Sequence, residues 1–563
     1  MRSLPLAVFV ALLLSPVANA QTWSQWGAGP RHTGMLPVFA QPLREQLADI
    51  VYDPFVDQEL AEAGGTLLVH YQTPLSDGND VFMEVKGGSY TKFTDWASQT
   101  WSIRKFTWQG GTLVAQWTAT SDWDPVPAGA ARFEPVFHAA LTSRFVYMPG
   151  AGGTVMEIDR TTGALTRRLG QFGATADPAV YVIGPISIDD AGSVYYNTLK
   201  LRADNPWGND HDGAWLVKVR PDGTALRVSY GDLVANAPAP ADLCLSTFTN
   251  EPQPWPPSPS AVPSSTPCGS QRSGLNVAPA IGADGTIYTV SRAHLNNRWG
   301  WVVAVNPNLT RKWSTSLRTL FPDGCGVLLP SNGQLGACRQ GANLGVDPFD
   351  NLPGSGIVND NSTASPIVAP DGSVYYGSYA RYNHSQGHLA RFSSSGQFLS
   401  SYKFGWDVTP AIWEHDGTFS IATKENRYEG TGPRVPGDEE GYFITQLTPN
   451  LDVEWRFQNT NTFSCHRNPN GTLDCVDDHP GGFEWCVNAL AIDARGVVYV
   501  NGEDGFLYAI NQGGTQRERI FLQLALGAAY TPLSLGSDGR IYTQNAGHLF
   551  VVGSRGKRRA VRQ

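Results

Sequence analysis

The sequence predicts an all-β fold, an eight-bladed β-propeller, on three observations: a unit that repeats along the chain, copies of it that read as hairpin-forming strands, and no comparably long amphipathic helix between them. In the unit, a small residue and a proline, or a close substitute, precede an apolar strand, an Asp-Gly-like turn and Val/Ile-Tyr. Seven copies follow this pattern and an eighth is degenerate. The clearest run from Ser365-Pro366 through Asp371-Gly372 to Val374-Tyr375, from Ala278-Pro279 through Asp284-Gly285 to Ile287-Tyr288, and from Thr531-Pro532 through Asp538-Gly539 to Ile541-Tyr542. A four-stranded sheet must bury its faces against its neighbours, so such a period implies blades arranged around an axis.

With the proline as marker, the copies stand at Pro74, Ala140, Pro185, Pro279, Pro366, Pro410, Ala489 and Pro532. A bare unit of about 44 residues separates three neighbouring pairs, and the wider intervals carry insertions. Within a copy, an inner strand, an Asp-Gly turn and a second strand lead to a third strand such as Trp301 to Val305. A turn, Asn306-Pro307-Asn308, and an outer strand, Lys312-Trp313-Ser314, complete it. The last copy ends near Val552 without a fourth strand. The segment Thr22-Trp23-Ser24-Gln25-Trp26-Gly27 resembles the outer-strand segments Val453 to Arg456 and Val114 to Trp117, so it is expected to close the ring. The alternative is a seven-bladed ring with the stretch from Thr66 to Trp117 as a small N-terminal β subdomain.

Met1 to Ala20 carries Arg2, an apolar run from Leu4 to Leu14 and Ala18-Asn19-Ala20, the layout of a cleavable secretory signal. The propeller is expected over 21–553, with a solvated basic tail over 554–563 that includes Arg555, Lys557 and Arg558. A net charge of −9 with 16% charged residues gives no reason to expect nucleic acid, and no segment reads as a transmembrane span. The expected product is a secreted or periplasmic monomer. Seven cysteines in an exported chain invite local bridges, expected as Cys244–Cys268, Cys325–Cys338 and Cys465–Cys475, which leave Cys486 as a buried thiol.

The insertions around 231–275, 318–362 and 459–486 fall on links between blades, and the extended second-to-third-strand connections open on the same side. Function is expected on that loop-rich face. There Asp210, Asp212, Asp477 and Asp478 offer oxygens suited to Ca²⁺, although their spacing does not match a twelve-residue calcium loop. Arg298, Trp299, Arg381, Tyr382, Glu484 and Trp485 combine aromatic faces with charge, a mixture suited to an acidic polysaccharide, bound or cleaved. Among inner-strand starts, Tyr71, Gln72, Asn276 and Tyr530 are candidate ligand contacts, and His138 and Asp407 are candidate catalytic groups because polar residues there would face the channel.

The small-Pro, Asp-Gly-x-Val-Tyr copies and the N-terminal Trp-x-x-Trp-Gly resemble the pyrroloquinoline-quinone-like (PQQ-like) repeat propellers. That family includes quinoprotein alcohol dehydrogenases and the non-enzymatic BamB-type assembly lipoproteins. No cysteine directly follows the signal, so the resemblance does not extend to lipid attachment. The dehydrogenases imply a quinone held flat over the channel with a metal ion, adjacent cysteines and repeated docking motifs ending in tryptophan. This chain has no Cys-Cys pair, and only Ile158-Asp159-Arg160-Thr161-Thr162-Gly163 resembles the docking motif, with Arg168 in place of the tryptophan. These departures weigh against PQQ. The reading is a propeller that binds a small molecule, glycan or protein through its loop-rich face. The alternative is an enzyme, a polysaccharide lyase or hydrolase ahead of a PQQ-dependent dehydrogenase.

Overall fold

Each Asp-Gly copy closes its own hairpin. In the computed structural model, the Thr286 amide donates to Asp284 Oδ1 at 3.0 Å and its hydroxyl to Oδ2 at 2.8 Å, while Gly285 takes φ +77°. Asp371 with Ser373 repeats the arrangement. Because the side chain caps a turn two residues away, the hairpin forms without help from distant chain. The structure describes residues 22–129, 133–173, 176–329, 338–380, 387–427, 440–527 and 531–555.

Eight antiparallel blades result. Blade 1 is Leu75–Asp77, Asp80–Gly88, Gln99–Gln109 and Thr112–Thr120, and blade 2 is Ala140–Leu141, Phe145–Gly150, Thr154–Asp159 and Leu165–Gly170. Blade 3 is Ser187–Ile188, Val194–Lys200, Gly213–Val219 and Ala225–Ser229, and blade 4 is Ala280–Ile281, Ile287–Ala293, Gly300–Val305 and Arg311–Ser316. In these two an extra piece, Val180–Val182 or Gln271–Arg272, extends the pairing of the second strand. Blade 5 is Ile367–Val368, Val374–Tyr379, Gly387–Phe392 and Phe398–Tyr402, and blade 6 is Ala411–His415, Thr418–Arg427, Gly441–Leu447 and Val453–Gln458. Blade 7 is Ala491–Ile492, Val498–Asn501, Phe506–Asn511 and Thr515–Phe521. The stretch weighed as a separate subdomain is therefore blade 1.

Blades dock through tryptophans on outer strands. Trp117 of blade 1 lies over Gly163 of blade 2, where a Cβ would stand 2.7 Å from the indole, and its Nε1 donates to Arg160 O at 3.1 Å. Trp313 of blade 4 covers Gly396 of blade 5 in the same way, donating to Ser394 O at 2.9 Å. Only glycine leaves room for the ring.

Blade 8, Ser534–Leu535, Ile541–Asn545 and His548–Gly553, takes its outer strand from the N-terminal region, as expected, but not from the expected residues. Glu45–Val51 pairs with His548–Gly553, whereas Thr22–Trp23 pairs with Asp77 and Ser76 on the inner strand of blade 1. The reason is burial. Trp23 and Trp26 are wholly buried, which an outer strand with one wet side does not offer, and an indole in the channel removes far more apolar surface from water.

From Trp23 the chain threads the short-turn end of the channel and meets every blade. Leu141 N donates to Ser24 O, Gln25 exchanges two side-chain bonds with Ile188, and Ile281 N, Val368 N, Ile412 N and Ile492 N donate to Pro30, Arg31, Thr33 and Gly34 carbonyls. Gln41 N then reaches Gly539 O at 2.7 Å on blade 8. Among the described residues, no helix is long and apolar enough to cross a membrane.

The three expected disulfides form, each inside a long link on the face opposite the Asp-Gly turns. Cys244–Cys268 staples a hairpin of Leu243–Leu245 and Ser265–Pro267, and Cys465–Cys475 crosses a second, Phe463–Arg467 with Leu473–Asp477. Cys486 is a buried thiol, and burial pushes its pKa up.

Candidate ligand-binding face

The axis of the ring is filled from both ends. At the short-turn end, Trp26 enters the channel between Ala278 and Ala489, its Nε1 donating to Thr409 Oγ1 at 2.9 Å and its ring set edge-on to His138 at 5.6 Å. At the loop-rich end, side chains lace opposite blades together. His70 of the link into blade 1 bonds the carbonyls of Glu134 at 2.7 Å and Asn361 at 3.2 Å. Asn276, at φ +63°, accepts from Val136 N at 2.9 Å and donates to Asp360 O at 3.2 Å.

This sealing determines the surroundings of the inner-strand residues. His138 is fully buried, with Nδ1 on Ala139 O at 2.7 Å and no partner for Nε2, and burial lowers its pKa to about 3. Asp407 is buried at φ +57° and accepts from Thr363 N at 3.4 Å. The Trp26 indole reaches both His138 and Thr409, two residues after Asp407. Tyr71 donates to Asp53 Oδ2 at 2.9 Å, and Gln72 accepts from Ala139 N at 2.9 Å. Trp485 packs edge-on to Tyr508, while the partly exposed Glu484 is the neighbouring charge that, after burial, raises the pKa of Glu503 to about 8. Arg381, Tyr382 and Tyr530 lie outside the described residues.

The four acids weighed for Ca²⁺ sit in separate surroundings. Asp210 accepts from Ser270 N and Oγ, and Asp478 accepts from Ser464 Oγ at 2.6 Å and pairs with His479. Asp212 holds Lys200 O through its backbone amide, and Asp477 ends the exposed strand of the stapled hairpin. Among the described residues no group of three or more His, Cys, Asp or Glu side chains is disposed to hold a metal ion.

Arg298 and Trp299, by contrast, meet on the loop-rich face beside a cleft. Arg298 Nη2 donates to both Asp347 and Asp350, and Arg318 lies over the Trp299 ring at 4.7 Å. The cleft, about 200 Å³, is lined by Ser246, Thr247, Thr266, Asn296, Asn297 and Arg298 with two apolar neighbours. Asp347, Asp350 and Arg318 were not foreseen: they lie inside the insertion 318–362, which matches no repeat. Two further buried charge networks were also missed. Arg272 and Arg292 share Asp360, at 2.6 and 2.9 Å, and Lys86 bridges Asp53 and Glu134 beside Glu59 and Glu84. Glu84 and Lys86 alternate along a strand as solvent-facing residues do, so period alone could not place them inside.

No protein-family model matches the sequence, and no curated protein matches it. Solved structures do match. A europium-containing methanol dehydrogenase superposes with a TM-score of 0.53 at 10% identity, covering 93% of this chain and 89% of the other. A quinohemoprotein alcohol dehydrogenase from Comamonas testosteroni gives 0.50 at 11% identity, over 97% and 83% of the two chains. By fold, this chain is an eight-bladed β-propeller. BamB from Moraxella catarrhalis also matches, at a TM-score of 0.37 and 11% identity over 91% and 99% of the two chains. At these identities the likeness of the chain to its neighbours is one of architecture. The residues present do not fit a quinone laid over the axis with its metal: the mouth is laced by His70 and Asn276, and among the described residues the acids of the face are dispersed.

Proposed function

We propose that this chain is an exported, non-catalytic propeller that binds an acidic glycan on its loop-rich face. The observation that carries the reading is the sealed axis. Trp26 occupies the channel beside His138, and the bonds of His70 and Asn276 cross the mouth, so a substrate has no route to the polar inner-strand residues. The opposite case holds at the rim, where long links stiffened by disulfides hold cations and aromatic rings near the surface. Three disulfides support export, since such bonds persist in oxidising compartments.

Hydrogen–deuterium exchange of the full chain with polygalacturonate, and with dextran as the neutral control, tests the reading. Protection is expected in 240–300 and 317–362 with polygalacturonate alone, without the unsaturated uronate that β-elimination leaves. Protection confined to the threaded segment 28–41 would overturn it. Release of unsaturated product that His138→Ala abolishes would move the assignment to a lyase.

A further inference from the structure

Arg298, which lines the cleft, carries more hydrogen-bond donors than the protein uses. Arg298 is 3% exposed, and its Nε and Nη1 have no hydrogen-bond partner. Trp299 Nε1 next to it and Arg318 Nη1, 3.6 Å from Asp350 Oδ2 in an ion contact, are also buried without a hydrogen bond. In the neighbouring link the acceptor Asn351 Oδ1 is likewise unpaired. Buried donors are nearly always satisfied, because an unmade bond in a low dielectric is costly, so the unpaired donors of Arg298, the one of these residues that lines the cleft, mark where an acceptor belongs. The two aspartates hold the guanidinium by Nη2 alone, fixing its plane while leaving its other N–H groups uncommitted.

The rest of the lining narrows the chemistry. Ser246, Thr247 and Thr266 come from the hairpin stapled by Cys244–Cys268, and Asn296 ties that hairpin to blade 4 through Leu245 O at 2.9 Å. Hydroxyls and amides both donate and accept, as ring hydroxyls require, while guanidinium N–H groups only donate. A volume of about 200 Å³ suits one ring rather than a chain.

Resting on the reading that this face binds an acidic glycan, we infer that the cleft is a subsite for a single uronic-acid unit. The Arg298 guanidinium supplies the cation for its carboxylate, and the Ser, Thr and Asn side chains meet its hydroxyls. The aspartate pair acts as a positioning device that holds the arginine ready before the ligand arrives.

Calorimetry on the full chain with sodium galacturonate, galactose, acetate and trigalacturonate tests this. Galacturonate is expected to bind at least about tenfold more tightly than galactose or acetate, and Arg298→Lys to lose that margin. Because Arg298→Lys disturbs a buried ion network, Thr247→Trp serves as the second variant, filling the mouth without touching an ion pair and abolishing galacturonate binding. Equal affinity for galactose and galacturonate, galacturonate binding that survives Thr247→Trp, or no binding of the monomer overturns the subsite. If polygalacturonate still protects the face while the monomer fails, the subsite falls and the glycan-binding face stands. If trigalacturonate binds and galacturonate does not, the site reads a chain, and the single-unit inference is likewise lost.

Discussion

Glu59 shows how a side chain can be held in place at a cost. It lies in the short helix Val56–Glu62 and accepts the Leu68 amide at 2.7 Å, beside Glu134, Asp53 and Lys86. Burial, with the nearby Glu134 charge, raises its pKa to about 8. A carboxyl whose folded pKa lies above its unfolded value costs nothing when both states are protonated, and its cost grows as pH rises from about 4.5 to 8. Glu59→Gln keeps an oxygen for Leu68 and removes the charge. The variant is expected to match the native chain at about pH 4 and to exceed its stability by roughly 1–3 kcal/mol at about pH 8, read by urea unfolding. A native-like curve at both values would mean that Lys86 already neutralises the site. The buried histidines act with the opposite sign. His32, His70 and His138 are lowered to about 4, 4 and 3 by burial, so the stability they contribute is complete above about 6.5 and declines as pH falls toward 4.

At the scale of elements, what was legible followed locality. Asp284, Gly285 and Thr286 build a turn from neighbours in sequence, so the Asp-Gly copies located seven of the blades' hairpins, and cysteines 10 to 24 residues apart found their partners. The closing strand was not legible, because Gln46 to Ile50 and Trp23 to Trp26 are both plausible strands. Only the burial available in the channel, a property of the assembled ring, separates them. Arg298 and Trp299 were legible as an aromatic–cation pair, whereas Asp347 and Asp350 reach Arg298 from about 50 residues along the chain, inside an insertion with no repeat to index them. The stapled hairpin beside this site has strands of three residues and no third strand, which is marginal in water without its bridge. Cys244→Ser with Cys268→Ser is therefore expected to act locally. Amide exchange over 243–267 should accelerate by about tenfold or more while the global melting temperature moves by only a few degrees. A large global shift would show that the link is part of the ring's cooperative core.

For the whole molecule, the threaded N-terminus makes eight sheets one unit. A propeller closed only by Glu45–Val51 would hold blades 8 and 1 together through one outer strand, leaving neighbours elsewhere joined by face packing. The segment from Trp23 to Gln41 bonds the inner strands of blades 1 to 7 and the Asp538-Gly539 turn of blade 8, and Trp26 stands at its centre in contact with groups from blades 2, 4, 6 and 7. Removing that indole leaves a cavity bounded by four sheets that cannot collapse inward, because the mouth on the other side is laced by His70 and Asn276. Trp26→Ala is accordingly expected to cost about 3–5 kcal/mol, the range for a buried aromatic whose site cannot relax. The loss should move one cooperative urea transition to lower denaturant rather than split it. It should leave galacturonate affinity unchanged, since the cleft lies on the rim. A loss below about 1 kcal/mol, or a transition that separates into steps, would show that the blades hold one another without the thread.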